Sequence, residues 1–347
     1  MDPIIERDCL EYLPKIDLSP LRGKTVLITG ANGLIGTYLV SLLDAANRVQ
    51  DLGISIIAVS RHAPCNKLQD IFRDRYEFRT LDLAAAGPEE LSGKADFIIH
   101  AATYAQPEKF MQNYSETLHL NVHATETLLK KAKADGAKLL FLSSAEIYGN
   151  PDSAHIPTKE DYEGLCSPLC VRSIYAESKR LGETLCFVYR NFEAVDAKIA
   201  RVSMCYGPGI SIRDKRVMGQ FMNQALTGGK ITMLDDGSKE RTFCYVADCV
   251  LMLLYVLLYG EDCVYNVGGG KRITIRELAE EICLQTGSEL SVGPGETLSA
   301  LTLRTSPDLI ELDTSKLQTE FRLPPMKAFQ EGLARTLEWN RKQFQIS

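Results

Sequence analysis

Two stretches of this chain have residue types and spacings that could do chemistry. The first is Thr29-Gly30-Ala31-Asn32-Gly33-Leu34-Ile35-Gly36, between an apolar run and a helical pattern. Gly30 permits a tight turn, Gly33 lets backbone approach a pyrophosphate, and Gly36 lets helix and strand pack closely. The helix that starts here turns its free N–H groups toward the phosphate charge. Gly30, Asn32, Gly33, Leu34, Ile35 and Gly36 are therefore candidate dinucleotide contacts. The second stretch is Tyr175-Ala176-Glu177-Ser178-Lys179, which puts Tyr175 and Lys179 one turn apart on one helix face. A lysine held there can lower the tyrosine pKa and grip the ribose of a nicotinamide. The tyrosinate can then remove a hydroxyl proton while hydride leaves the same carbon. Ser143-Ser144 closes an earlier apolar run, and a hydroxyl there can hydrogen-bond the reacting alcohol.

The choice of dinucleotide turns on the end of the second apolar run, Ala58-Val59-Ser60-Arg61. An acid there would suit the ribose hydroxyls of NAD, whereas Arg61 suits the 2′-phosphate of NADP. Asp82-Leu83, beyond the next expected strand, is placed for an adenine-side contact.

These residues need a scaffold, and the pattern of runs supplies one. Lys24–Thr29, Ile54–Val59, Phe97–His100, Leu139–Leu142 and Ala197–Val202 read as continuous apolar strands. Helical stretches alternate with them, among them Glu116–Ala134 and Tyr175–Arg190. Fully apolar strands alternating with helices indicate a parallel sheet covered on both faces. The fold class expected is α/β, a Rossmann-type doubly wound parallel sheet with a smaller C-terminal α/β lobe. Residues 1–22 read as a lead-in, helical and then extended near Pro14 and Pro20. Residues 23–203 read as the dinucleotide domain and 204–347 as mainly the substrate lobe. Segments near 243–267 are expected to return to the sheet. Glycine and proline turns multiply after about residue 203, and helices are expected at Asp248–Tyr259 and Thr274–Gln285.

Composition sets limits on function. The 347 residues carry a formal charge of −6, with 45% hydrophobic and 24% charged residues. That is an ordinary globular composition, with no basic excess for general nucleic-acid binding. Ten cysteines form no CxxC pair and no Cys/His cluster of zinc-ligand spacing, so no metal site is expected. They read as small interior side chains of a reduced, cytoplasmic protein. The start carries acids and a proline where a signal peptide needs a basic and then an apolar run. The longest apolar run, Val250–Tyr259, is far short of the roughly 20 residues of a spanning helix, so no membrane association is expected.

With these residues in view, the chain resembles the extended short-chain dehydrogenase/reductases, in the NAD-dependent epimerase/dehydratase group that acts on nucleotide sugars. The resemblance rests on TGANGLIG at 29–36, Asp82-Leu83, His100-Ala101-Ala102, Asn121-Val122 with Thr125, SSAEIYG at 143–149, YAESK at 175–179 and YGP at 206–208. It covers most of residues 23–340. The closest texture is that of UDP-glucuronate decarboxylases and sugar-nucleotide 4,6-dehydratases. Val171-Arg172-Ser173-Ile174-Tyr175, Asp214-Lys215-Arg216-Val217, Glu240 to Asp248, and Arg304 with Pro307-Asp308 are similar to decarboxylase segments.

The resemblance implies a redox cycle that leaves a tightly bound NAD(P) unchanged. Tyr175 would take the proton of the sugar 4-hydroxyl, with Ser144 its hydroxyl partner and Lys179 beside it. The 4-keto intermediate would then lose carbon dioxide from a C5 carboxylate, or a C5 proton and water. Glu146 matches the glutamate beside C5. Ala101, Ala102 and Asn121 join the cofactor contacts. Tyr104, Arg216, Arg241 and Arg304 are the substrate candidates. The reaction class suggests NAD, and Arg61 suggests NADP. The ligand implied is a nucleotide sugar, most readily a UDP-sugar. A homodimer is implied through Glu116–Ala134 and the Tyr175 helix, with Leu120, Leu128, Leu181 and Leu185 as candidate interface positions.

Three positions depart from the family pattern. Ala145 stands where dTDP-glucose-type dehydratases carry an acid and decarboxylases a serine. Met204 replaces a substrate-binding asparagine. Gly209 follows YGP where decarboxylases often carry arginine. A UDP-glucuronate decarboxylase is the leading expectation. A 4,6-dehydratase or a C4 or C5 epimerase is the alternative, ahead of a net dehydrogenase or a non-catalytic NAD(P)-binding scaffold.

Overall fold

The computed structural model describes residues 1–72, 76–293 and 309–344. In chain order the strands of its first part are β1 (Thr25–Thr29), β2 (Ser55–Ser60), β3 (Glu77–Thr80), β4 (Phe97–His100), β5 (Lys138–Ser144) and β6 (Ala197–Val202). β7 (Cys205–Tyr206), β8 (Lys230–Met233), β9 (Glu240–Thr242), β10 (Cys244–Tyr245), β11 (Val264–Val267), β12 (Arg272–Thr274), β13 (Glu289–Val292) and β14 (Leu309–Ile310) follow. The helices include α1 (Pro3–Tyr12), α2 (Leu34–Gln50), α3 (Pro107–Gln112), α4 (Tyr114–Leu118), α5 (Ala124–Asp135) and α6 (Ser173–Phe192). After them come α7 (Val217–Gly228), α8 (Val246–Tyr259), α9 (Ile275–Thr286), α10 (Ser315–Phe321) and α11 (Phe329–Phe344).

Seven strands form one parallel sheet in the order β11-β6-β5-β4-β1-β2-β3. The strand order reverses between β1 and β4, and the glycine loop leaves the carboxyl end of β1 at that crevice. Open α/β sheets bind ligands at such a switch point. The apolar runs are buried on both faces, as the expected parallel sheet requires. Leu27, Ile98, Leu139 and Ile199 pack on one side with α5, while Val26, Ile28, Ile56 and Ile99 pack on the other with α2 and α8.

The first 22 residues are more than an appended lead-in. Ile5, Cys9, Tyr12, Leu13, Leu18 and Leu21 are all in the main core, and α1 lies against α2. Asp8 on α1 is fully buried. It accepts from Tyr38 at 2.7 Å and from Tyr245, and pairs with Arg335 on α11. The chain expected to be extended near Pro14 and Pro20 instead makes two single 3₁₀ turns, Leu13–Lys15 and Ser19–Leu21.

The helix expected over Glu116–Ala134 is interrupted. Between α4 and α5 the backbone widens into a π turn over His119–His123. Such a bulge turns one side chain inward that a regular helix would carry elsewhere, and here Asn121 is completely buried. Of the candidate interface positions, Leu128 belongs to the core and Leu181 is exposed.

The second lobe is built from short pieces. β8 pairs with β13, and β9 lies between β12 and β14. α9 begins with a capping box, Thr274 Oγ1 accepting from Glu277 N at 3.0 Å and Glu277 Oε2 from Thr274 N at 2.7 Å. α8 and β11 lie against the large sheet, β11 on β6. α11, near the end of the chain, sends Leu333 and Leu337 into the same core as α1 and α2.

Candidate active site

The glycine loop is shaped by close approach. Gly30 has φ +71°, and a Cβ there would stand 2.7 Å from the Ala101 carbonyl. A Cβ at Gly36 would stand 2.3 Å from the Gly30 oxygen, so helix and strand meet with no room for a side chain. Gly33 caps α2 without a side-chain hydrogen bond, which leaves the first N–H groups of that helix for a ligand. Asn32 does something else with its side chain. Its amide donates to the carbonyls of His62 and Ala63, at 3.1 and 2.9 Å, and its oxygen accepts from Cys65 N at 3.0 Å. It ties the loop after β2 to the glycine loop.

The floor of the crevice is held by His100. Its Nε2 donates to the Leu120 carbonyl at 3.0 Å, so Nδ1 accepts from the Thr29 hydroxyl at 2.8 Å. Thr29 Oγ1 in turn accepts from Ala102 N at 3.3 Å. Ala101 and Ala102 are thereby fixed against the end of β1. Burial, with the nearby Lys179 charge, pushes the His100 pKa down to about 3, so the ring is neutral.

Arg61 and Tyr104 come together across this crevice. The Arg61 guanidinium lies over the Tyr104 ring, 5.3 Å from its centre, and donates to its hydroxyl. Asp82 caps the turn after β3, accepting from Ala84 N at 3.1 Å, and Leu83 is buried in the core.

α6 carries Tyr175 in its first turn. Tyr175 is 5% exposed, its ring stacked on Phe110 at 4.8 Å with the planes 13° apart. Burial raises its pKa, and the Glu146 charge raises it further. The Ser144 hydroxyl and the Arg216 charge act the other way. Lys179 lies one turn on but reaches the strand, donating to the Leu142 carbonyl at 2.6 Å, with Phe141 beneath its ammonium at 4.5 Å. Burial brings the Lys179 pKa down to about 7, against the pull of Glu183.

The two serines at the end of β5 are separated by their partners. Ser143 donates to Glu183, a buried carboxylate also held by Arg201. Ser144 caps the turn Ala145–Tyr148, accepting from Glu146 N at 3.2 Å, and its hydroxyl faces Tyr175. Asn121 Nδ2 donates to Ser178 at 2.9 Å, fastening the π turn to α6, while its buried Oδ1 has no hydrogen-bond partner among the described residues.

Glu146 is held by Arg172, Nη2 to Oε1 at 2.7 Å and Nε to Oε2 at 3.3 Å. Arg216 is similarly paired with Asp214 at 2.7 Å, and Asp214 also accepts from Gln106 at 2.9 Å. Burial would raise the Asp214 pKa, but the Arg216 hydrogen bonds and charge outweigh it and hold the carboxyl low. Arg241 is buried on β9, donating to the Glu240 carbonyl at 2.6 Å. Arg304 lies outside the described residues.

A sequence model of the NAD dependent epimerase/dehydratase family matches residues 26–268. The chain belongs to that family. Among curated relatives, UDP-glucuronic acid decarboxylase 1 of Xenopus tropicalis is 30% identical over 98% of this chain and 78% of its own length. UDP-glucuronic acid decarboxylase 6 of Arabidopsis thaliana is 34% identical over 76% of this chain and 77% of its own. Among solved structures, the dTDP-glucose 4,6-dehydratase DesIV of Streptomyces venezuelae, with NAD and TYD bound, superposes with a TM-score of 0.78. It is 26% identical and covers 92% of this chain and 98% of its own.

Within this epimerase/dehydratase chain, two residues of the cluster went unassigned in the sequence. Arg172 stands three positions before Tyr175, and nothing local marks it as the partner of Glu146. Phe110 reads as one more apolar residue. Gly209 has φ +109°, and a Cβ there would stand 3.1 Å from Leu34 and 3.4 Å from the Lys67 ammonium. Lys67, from the loop after β2, brings a cation beside the position where the decarboxylase pattern has arginine. Met204 packs against the core.

Proposed function

We propose that the chain is an NAD-dependent nucleotide-sugar lyase that decarboxylates UDP-glucuronate through a 4-keto intermediate. The observation that carries this reading is the placing of Glu146. Its carboxylate acts on Tyr175, both its oxygens accept from Arg172, and its neighbour Ala145 offers no acid. Losing water from C6 needs a base for the C5 proton and an acid for the leaving hydroxyl. Losing carbon dioxide from a β-keto acid needs neither. The similarity to curated decarboxylases over most of the chain supports the same choice.

The cradle at Gly30 and Gly36, with the uncapped start of α2, fits a dinucleotide diphosphate. Gly30, Gly33, Leu34, Ile35 and Gly36 would hold it through backbone, with Ala101, Ala102 and Asn121 lining the crevice and Asp82 and Leu83 toward the adenine. The family name and the engagement of Arg61 by Tyr104 favour NAD. Bound NAD would supply the acceptor for hydride at the sugar C4 and return it at the end, with no net oxidation.

The chain's own residues do the rest. Tyr175 takes the 4-hydroxyl proton and later gives it back. Ser144 hydrogen-bonds the reacting oxygen and so holds it within reach of the phenol. Lys179, buried beneath, anchors the ribose side of the crevice. Glu146 lies beside C5, where it can orient a solvent water that delivers the proton taking the place of the lost carbon dioxide. Arg216, Arg241 and Arg304 are candidates for the substrate diphosphate, and Tyr104 for the sugar-nucleotide side.

A homodimer through the Glu116–Ala134 stretch and α6 is part of this proposal. α4 and α6 are in contact, and Tyr114, Leu118, Leu181, Phe187, Val188 and Phe192 on them are exposed. The cytoplasm is the proposed location. No described helix is long and apolar enough to cross a membrane, and the ten cysteines are free thiols.

Mass spectrometry of the products from a panel of UDP-, GDP-, CDP- and dTDP-sugars tests the reading. Loss of carbon dioxide from UDP-glucuronate, with no lasting absorbance change at the nicotinamide band, is expected. Loss of water from a neutral hexose, or an isomer of unchanged mass, would replace it with dehydration or epimerisation.

A further inference from the structure

Arg172 and Glu146 meet in a place where an ion pair is more than surface decoration. Their side chains are only 20% and 25% exposed, and the two-point contact fixes the carboxylate plane. Arg172 stands at the entry of α6, and its guanidinium lies 5.9 Å from the centre of the Phe110 ring, the ring on which Tyr175 stacks. The pair, the stacked ring and the reacting phenol therefore form one contiguous unit. Within it, the Glu146 charge already works against ionisation of Tyr175. A second carboxylate, brought in on a sugar, would meet an anion at the same spot unless that anion were compensated. Removing one member of a half-buried pair leaves the other charge uncompensated, which is far more disruptive than loss of the contact alone.

We propose that Arg172 is the positioning residue for Glu146: it fixes that carboxylate beside C5 and cancels its charge, and so allows a sugar bearing a C5 carboxylate to bind. This rests on the UDP-glucuronate reading above. Arg172 acts through Glu146, so its influence must vanish when Glu146 carries no charge.

The test is binding, measured by calorimetry with NAD present in a Tyr175→Phe background, where no turnover confuses the heat. UDP-glucuronate is compared with UDP-glucose, which has the same nucleotide and no carboxylate. Arg172→Met is expected to weaken UDP-glucuronate by about 10-fold or more and UDP-glucose by less than about 3-fold. Arg172→Lys, which keeps the charge and loses the fork, should recover most of the difference. Adding Glu146→Gln to Arg172→Met should return the preference to within about 3-fold of the parent. Equal loss of both ligands would mean a merely structural role and overturn the proposal. A preference that stays lost in the Glu146→Gln background would mean that Arg172 acts directly on the ligand, which also overturns it. If the unaltered enzyme prefers UDP-glucuronate yet releases no carbon dioxide, the reaction assignment fails while the coupling stands. If it decarboxylates and Arg172→Met leaves the preference intact, the reverse holds.

Discussion

The Tyr175 ring lies nearly parallel to that of Phe110, with centres 4.8 Å apart, and Phe110 is completely buried beneath it. The stack sets the plane of the phenol, and so the direction in which its hydroxyl points. Phe110→Ala removes both the wall and the stacking, which together amount to about 3–5 kcal/mol for a buried ring. Activity is expected to fall more than UDP-sugar affinity, with a lower thermal midpoint. Phe110→Leu should recover stability better than turnover. Steady-state kinetics beside a melting curve separates the two, and unchanged kcat in the leucine variant would remove Phe110 from the orientation of Tyr175.

Tyr175→Phe keeps the stack and the buried volume and deletes the proton acceptor. Activity should drop by about 10²–10⁴-fold, the usual range for one positioned acid–base group, while NAD and UDP still bind. Retained turnover would show that another group handles the proton.

The glycine loop predicts a steric result. Gly36→Ala places a methyl 2.3 Å from the Gly30 oxygen, closer than two such atoms can stand, so the start of α2 must move away from β1. Fluorescence titration of NADH should show affinity weakened by about 10-fold or more, since the phosphate N–H groups move with the helix. Affinity within about 2-fold of the parent would mean that the diphosphate does not sit on this turn.

His100 supplies the pH prediction. Its folded-state pKa of about 3 lies below the ordinary value of 6.5, because burial favours the neutral ring. The unfolded chain then binds the extra proton first. The stability from this group is complete above pH of about 6.5 and drains away as pH falls toward 3. Urea midpoints should be level in this respect from pH 7 upward and decline between about pH 6 and 4. His100→Gln, which does not titrate, should flatten that decline, and an unaltered slope would mean that other groups carry it.

Much of this was legible in the sequence because it is local. Apolar runs with β-branched residues mark central strands at any position in the chain, and the spacings in the glycine loop are steric demands of one turn. Tyr175 with Lys179, and Ser144 with Glu146, are each set by a single helix or strand end. The parts that escaped depend on the path of the chain between elements. Glu146 and Arg172 meet only because the segment from Gly149 folds back, with Gly149 bridging Leu165, before α6 begins. Phe110 matters through a ring face, which composition does not distinguish from ordinary core. The π turn at Asn121 and the side-chain duty of Asn32 toward His62 and Ala63 are likewise tertiary facts.

The buried Asp8 has one more consequence, for the order of events in synthesis. Its counter-ion, Arg335, lies in α11, and Trp339 of the same helix donates to Asp2 at 3.1 Å. A growing chain makes the acid 327 residues before the arginine. Until α11 is available, α1 placed on α2 would bury the Asp8 carboxylate among tyrosine hydroxyls but with no counter-ion, which is unfavourable. α1 thus locks fully into place only once α11 has been made, and the two helices close the fold together.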